Sequence, residues 1–279
     1  MNSFTIKGTT KIVGIFGDPI NFTLSPQMHN YAFSELNLDF VYLPFLVKEE
    51  KLKGAVEALK SLNLVGVNVT IPHKQSIIPY LDECSPLAKK IGAVNTIINR
   101  HGRLIGDNTD APGFLSSLKE DGQFDPLGKK AVILGGGGTA HSIAVALLDS
   151  GIKKIVVLNR TLERAQDLIA HLKKWYPNSD LTCEKFSSDS LNHAIRECDL
   201  FLNATPSSVE LNSNLISPSL FVFDAQYAKA TSLLISAKNS GATCLGGLGM
   251  LIHQGALSFS LWTGEKPPVS LMKKALEGK

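Results

Sequence analysis

Two residues in the first half of the chain carry side chains suited to moving a proton. Lys74 closes the stretch NVTIPHK (68–74), just after a proline-containing turn, and Asp110 closes GDNTD (106–110), where a helix begins. A lysine beside an aspartate in a cleft can pass a proton to or from a hydroxyl or carbonyl oxygen, which is what hydride transfer needs on the oxygen side. Taken singly, each has an ordinary use, the lysine on a surface and the aspartate as a helix cap. Their occurrence with two further polar stretches, FTLSPQMHN (22–30) and GAVNT (92–96), shifts the balance toward function. Three of the four stretches follow strand-like runs, and open α/β sheets receive ligands at strand ends.

A site for the hydride donor is written further along. Residues 131–140, AVILGGGGTA, read as an apolar strand, four glycines and a helix start. Gly135, Gly137, Gly138 and Ala140 fill a compact variant of the dinucleotide fingerprint, with Gly136 and Thr139 in the same turn. Missing side chains there let backbone N–H groups and a helix N-terminus meet a pyrophosphate. About 20 residues past such a turn, a fold binding NAD offers Asp or Glu to the ribose 2′-hydroxyl. Here the run IVVL ends in Asn159-Arg160-Thr161, with Arg164 one helical turn on. A carboxylate repels a 2′-phosphate, whereas a guanidinium makes paired, charge-assisted hydrogen bonds to it and stacks on adenine. Thr161 can cap the next helix and donate to the same phosphate. The chemistry favours NADP over NAD; the bland alternative is a solvated helix start with surface arginines.

The elements that must hold these residues alternate along the chain. IVGIFG, DFVYLPFL and LVGVNVT read as strands, separated by helices opening at Ser25-Pro26 and near Lys48. Such alternation marks βαβ units and a mostly parallel sheet. Ser25 suits an N-cap and Pro26 the first helical position. AVNTIINR, the turn His101-Gly102 and RLIG predict a hairpin, after which a helix runs from Asp110 to near Gly122. A second series follows through KKAVILGGGG, IVVLNR, LTCEKF, DLFLNAT and LFVFDA. GATCLGGLGMLIHQGALSFSLWTG then gives a strand and a long amphipathic helix, and a last helix starts near Val269. The domain change is expected near Asp110.

Composition bounds the rest. With 279 residues, 44% hydrophobic and 19% charged, two domains are the better expectation. A net charge of +3 is too mild to predict a nucleic-acid or membrane partner. No stretch reaches the roughly 20 apolar residues of a spanning helix, and MNSFTIKGTTK lacks the apolar core of a signal peptide, so the expected location is the cytoplasm. Cys84, Cys183, Cys198 and Cys244 form no C-x-x-C pair, which argues against a metal site and for reduced packing thiols.

The combination GDPI-x4-SPQMHN, NVTIPHK, GAVNT, GDNTD, the GGGG turn, NRT-x2-R and GLGMLIHQ resembles the shikimate dehydrogenase family over nearly the whole chain, in the family's order. The resemblance implies reversible reduction of 3-dehydroshikimate to shikimate with NADPH, a step toward chorismate and the aromatic amino acids. It implies an α/β fold of two domains: a substrate-binding domain, 1–110 completed by 247–279, and a Rossmann-like NADP-binding domain, 111–246. Lys74 matches the catalytic lysine and Asp110 the aspartate that orients it and bonds a ring hydroxyl. Thr23 and Ser25 match the hydroxyls that hold the substrate carboxylate; Thr70, Asn95, Tyr227 and Gln254 match polar contacts to the ring. Ala225 and Gly247 match backbone positions near the nicotinamide. His29, His73 and His253 are read as packing residues.

The match has departures. Phe22-Thr23 stands where His-Ser is usual, which bears on preference between shikimate and quinate. Ala111-Pro112 replaces a common glycine, and His141 an arginine. Ser207-Ser208-Val209 lacks Gly-Met, and AQYAKAT (225–231) lacks Asn-Pro after its tyrosine. Two alternatives stay open: a quinate/shikimate dehydrogenase with NAD or dual cofactor use, and a dinucleotide-sensing regulator without catalysis, which would have no chemical need of Lys74 with Asp110. The oligomer is read as a monomer or homodimer.

Overall fold

The computed structural model describes residues 5–227 and 231–277 and turns the alternating pattern into two compact units. One holds the residues up to Thr109 with those from Ile252 onward; the other is Asp110–Leu251.

The first unit is built from β1 (Lys11–Gly17), α1 (Ser25–Glu35), β2 (Phe40–Leu46), α2 (Leu52–Ser61), β3 (Gly66–Val69), β4 (Glu83–Cys84), α3 (Pro86–Ile91), β5 (Thr96–Arg100) and β6 (Arg103–Asp107). Its sheet runs β2-β1-β3-β5-β6-β4, parallel except at β5, which is antiparallel to both neighbours. The β5–β6 hairpin is the expected one. His101 and Gly102 both have positive φ (53° and 85°), the backbone that suits a two-residue turn between right-twisted strands. Phe16, Leu59, Val67, Ile77, Ile97 and Leu104 belong to one buried cluster of this unit. Burial of each such side chain contributes about 1.5–3 kcal/mol.

The second unit continues with α4 (Asp110–Ser116), a π-helical turn (Ser117–Asp121), β7 (Lys130–Leu134), α5 (Gly138–Asp149), β8 (Lys154–Asn159), α6 (Leu162–Trp175), β9 (Asp180–Lys185), α7 (Ser188–Arg196), β10 (Leu200–Asn203), β11 (Phe221–Asp224), α8 (Ser232–Asn239) and β12 (Thr243–Gly246). Its strands are all parallel in the order β12-β11-β10-β7-β8-β9. Read from the other edge this is the doubly wound order, whose direction reverses between β7 and β10. Near-continuous apolar runs such as KAVIL and FVFD suit strands covered on both faces. The chain closes with α9 (Leu248–Thr263), within which it passes from one unit to the other, and α10 (Val269–Ala275).

Two local expectations need correction, and one short stretch adds elements that were not expected. Ser25 does not cap α1: Leu24 holds the cap position, and the helix begins at Ser25 with Pro26 in its second place. The Ser25 N–H instead reaches the Thr23 hydroxyl at 3.3 Å, so Thr23 supplies what a cap would. The helix α9 is not amphipathic, since none of its residues is exposed; it is an interior helix, with small residues along its length. Gly255 is one of these, and a Cβ there would strike the Met28 side chain. Finally, the short β4 and α3 lie in a stretch that periodicity does not flag. Ser85 caps α3 by accepting from the Ala88 N–H at 3.1 Å, and Gly92 ends it with φ 72°.

Candidate active site

Topology gathers the polar stretches of the first unit. With β1, β3 and β6 running one way and β5 the other, the C-terminal ends of those three strands and the start of β5 share one sheet edge. The register sets Thr96 opposite both Asn68 and Asp107. Thr23 follows β1, half-buried, while Ser25 is 2% exposed. Thr70 follows β3 and ties back to β1 through its N–H to the Phe16 carbonyl, 2.9 Å. Gly17 makes room for it: a Cβ at Gly17 would run into Thr70 Cγ2. Lys74, half-buried, lies within the turned segment 71–77, and its own carbonyl accepts from the Val94 N–H at 2.7 Å. That bond fastens the lysine-bearing segment to the stretch that carries Asn95.

Asn95 is itself held from several sides. Its Oδ1 accepts from the Thr109 N–H at 2.7 Å, which leaves its Nδ2 to donate to Thr109 Oγ1 at 2.9 Å and to Gln254 Oε1 at 3.1 Å. Asn95 and Gln254, 159 residues apart, thus act as one buried amide pair, 2% and 8% exposed. Gln254 Oε1 accepts from Asn95, so the donor end of the Gln254 amide is its nitrogen. Asn68, Thr96, Thr109 and Ser258 extend the same network inward, and no role was read for them from the sequence. No local signal singles them out: Ser258 follows Gln254 by one turn, but His253, Ser260 and Thr263 are polar residues of the same helix.

The histidines of these stretches pack. His29 stacks on Tyr42 at 4.3 Å with 7° between the rings, flanked by Trp262 and Phe259. Burial holds its pKa down to about 3, so it is neutral. His73, fully buried, bonds through Nε2 to the Val47 carbonyl at 2.6 Å.

In the second unit the glycine turn joins β7 to α5. Gly135 has φ 127°, a conformation open to glycine, and a Cβ there would lie 3.1 Å from the Ala204 carbonyl oxygen. A Cβ at Gly136 would lie 3.1 Å from the Arg164 carbonyl oxygen, so the turn packs against the first turn of α6. Gly137 is exposed, has nothing within 4 Å of where a Cβ would stand, and caps α5 with no side-chain bond. Gly138 and Thr139 follow as the first residues of α5. Open space in front of helix N–H groups fits a pyrophosphate. Arg160, Thr161 and Arg164 are exposed beside this turn, and Asn159 shapes it by donating to the Thr161 carbonyl at 2.7 Å. Thr161 takes the N-cap position of α6, but its hydroxyl does not cap, contrary to expectation.

Asn203 and Asp224, both fully buried at the ends of β10 and β11, bond at 3.0 Å. Asn203 also accepts from the Thr205 N–H, and Asp224 from the Gln226 N–H, fixing the loops beyond. Burial raises the Asp224 pKa. Ala225 and Gly247 touch so closely that a Cβ on Gly247 would overlap the Ala225 carbonyl. Tyr227, half-buried, has its pKa raised by burial. Asp110 is the first residue of α4 and is 5% exposed. His141, buried in α5, lies 5.6 Å from the His171 ring. The cysteines are unpaired among the described residues. No group of three or more His, Cys, Asp or Glu suited to a metal occurs there, and no helix among them is long and apolar enough to cross a membrane.

Three family models match the chain: the shikimate dehydrogenase substrate binding domain over residues 15–97, shikimate / quinate 5-dehydrogenase over 120–215, and the shikimate 5′-dehydrogenase C-terminal domain over 247–277. A shikimate dehydrogenase (NADP(+)) of Alkaliphilus metalliredigens is 43% identical over 99% of both chains. Among solved structures, shikimate 5-dehydrogenase of Listeria monocytogenes in complex with shikimate and NAD is 37% identical, with a TM-score of 0.85 over 97% of this chain and 98% of that one. The Thermus thermophilus enzyme in complex with NADP(H) and shikimate is 36% identical, with a TM-score of 0.81 over 95% and 98%.

Proposed function

The chain belongs to the shikimate dehydrogenase family, and from that premise we propose that it catalyses the reversible, NADP-dependent reduction of 3-dehydroshikimate to shikimate on the way to chorismate. The observation that carries the assignment is the Val94–Lys74 backbone bond. It mounts a proton-handling ammonium on the same frame as the Asn95–Gln254 amide pair, so chemistry and hydroxyl recognition share one rigid support.

Bound NADPH supplies the hydride. As the ketone carbon is reduced, its oxygen gains negative charge, and the Lys74 ammonium stabilises that charge and then gives up its proton to the oxygen. In the oxidation direction the neutral amine takes the proton back. Asp110 accepts a hydrogen bond from a ring hydroxyl. Thr23 and Ser25 donate to the substrate carboxylate, and Thr70, Asn95, Tyr227 and Gln254 read the ring. A cyclic polyol acid is told from its analogues by such contacts, because each buried polar group left unpaired costs affinity.

On the cofactor side, Gly135, Gly136, Gly137, Gly138 and Thr139 cradle the pyrophosphate, and Asn159, Arg160, Thr161 and Arg164 take the adenosine end, with the two guanidinium groups on the 2′-phosphate. Ala225 and Gly247 offer backbone to the nicotinamide. This substrate unit and NADP unit correspond to the two domains of the family. We take the enzyme to work in the cytoplasm as a monomer or homodimer, with no nucleic-acid partner.

The test is nicotinamide absorbance in purified protein given shikimate or quinate with NADP or NAD. Shikimate with NADP should have the highest kcat/KM of the four pairs. No turnover with any of the four would overturn the assignment.

A further inference from the structure

We propose that Ser258 is a positioning residue for substrate binding, its buried hydroxyl setting the direction of the hydrogen bonds that orient Asn95 and Gln254; this rests on the reading that those two amides hold the substrate ring. Ser258 lies one turn beyond Gln254 in α9 and is fully buried. Its Oγ stands 3.0 Å from Asn68 Nδ2, 2.8 Å from Thr96 Oγ1, 3.0 Å from Thr109 Oγ1 and 3.1 Å from the Gln254 carbonyl oxygen. One hydroxyl therefore joins three separate polar stretches of the unit to the helix that carries Gln254.

Counting donors and acceptors fixes the order. The Tyr42 hydroxyl donates to Asn68 Oδ1 at 2.8 Å, so the amide nitrogen of Asn68 faces Ser258 and donates to it. Thr96 spends its proton on Asn95 Oδ1 at 3.0 Å. Thr109 Oγ1 accepts from Asn95 Nδ2, so its own proton can go to Ser258. Ser258, with both lone pairs taken by Asn68 and Thr109, passes its proton to Thr96 Oγ1 at 2.8 Å, the shortest of its four contacts. Each hydroxyl proton in this chain has one acceptor, and Asn95 is left presenting Nδ2 to Gln254 Oε1.

Without the Ser258 oxygen, the Thr109 proton loses its acceptor. The remaining ones in reach are Asn95 Oδ1 at 3.2 Å, Thr96 Oγ1 at 3.3 Å and Gln254 Oε1 at 3.5 Å. Turning to Gln254 competes with Asn95 for the same oxygen and loosens the amide pair. In a site that excludes water, networks of this kind couple their members more strongly than single bonds do.

The experiment compares Ser258→Ala, Asn95→Ala and the double variant in steady-state kinetics. Ser258→Ala should raise KM for shikimate about fivefold to tenfold, the scale of one lost buried hydrogen bond. Its kcat and its KM for NADP should stay within about twofold of wild type. Added to Asn95→Ala, which raises the same KM, it should have almost no further effect, since it acts through Asn95. An unchanged KM for shikimate in Ser258→Ala, an equal rise for both substrates, or a full additive effect in the double variant would each overturn the proposal. If Asn95→Ala itself left KM unchanged, the site reading would fall, and the role of Ser258 with it.

Discussion

Replacing His29 by phenylalanine should remove much of the acid sensitivity of the substrate unit. The ring is 0% exposed, lies against Tyr42, Phe33, Phe259 and Trp262, and neither nitrogen has a hydrogen-bond partner among the described residues. In the folded chain the pKa falls from 6.5 to about 3, because burial penalises the charged ring. Unfolded chain therefore binds a proton over that window and folded chain does not. The contribution is fully present above pH 6.5 and is lost as pH falls toward 3. At a pH of about 4.5, two units below the unfolded value, the loss is about 2.7 kcal/mol. That is a large share of the roughly 5–15 kcal/mol by which domains are stable.

Urea unfolding at pH about 7.5 and about 4.5, followed by tryptophan fluorescence, measures it. Trp262 is buried 5.6 Å from the His29 ring and reports this unit directly, whereas Trp175 in the other unit is half exposed. Wild type should lose about 2.7 kcal/mol more than His29→Phe between the two conditions. Because the stack and the Ser25 end of α1 are kept, KM for shikimate near neutral pH should not change. Equal losses in both proteins would show that the proton goes elsewhere and refute the argument.

Two further outcomes follow from the site. Arg160→Ala should raise KM for NADP about tenfold, the lower end for a charge-assisted bond because the residue is exposed, and leave KM for shikimate alone; equal effects would return the arginine to the solvated surface. Gly17→Ala puts a methyl into steric conflict with Thr70 Cγ2, and should raise KM for shikimate several-fold while KM for NADP holds; an unmoved KM for shikimate would mean Thr70 makes no substrate contact.

What the sequence reveals here depends on how local the cause is. The glycine turn, the hairpin at His101-Gly102 and the apolar strands of the second sheet are dictated by backbone freedom and burial within a few residues, and they were legible. The cap of α1 was misread because a serine before a proline is a strong local signal, yet the Thr23 hydroxyl two residues earlier reaches the Ser25 N–H. For α9 the apolar spacing could not show that every side is covered, since that depends on elements more than a hundred residues away. Ser258 was illegible for the same reason: its partners Asn68, Thr96 and Thr109 are 190, 162 and 149 residues distant. Asn95 and Gln254 could be named from their motifs, but their bond to each other could not.

The central claim is that Lys74 handles the proton that accompanies hydride transfer. Steady-state kinetics of Lys74→Ala with shikimate and NADP test it most directly. General acid–base catalysis of this kind is worth about 10²–10⁴ in rate, so kcat should fall by that factor while KM for shikimate changes only a few-fold. A variant that keeps its kcat within a few-fold of wild type, or whose whole loss lies in KM, would contradict the account.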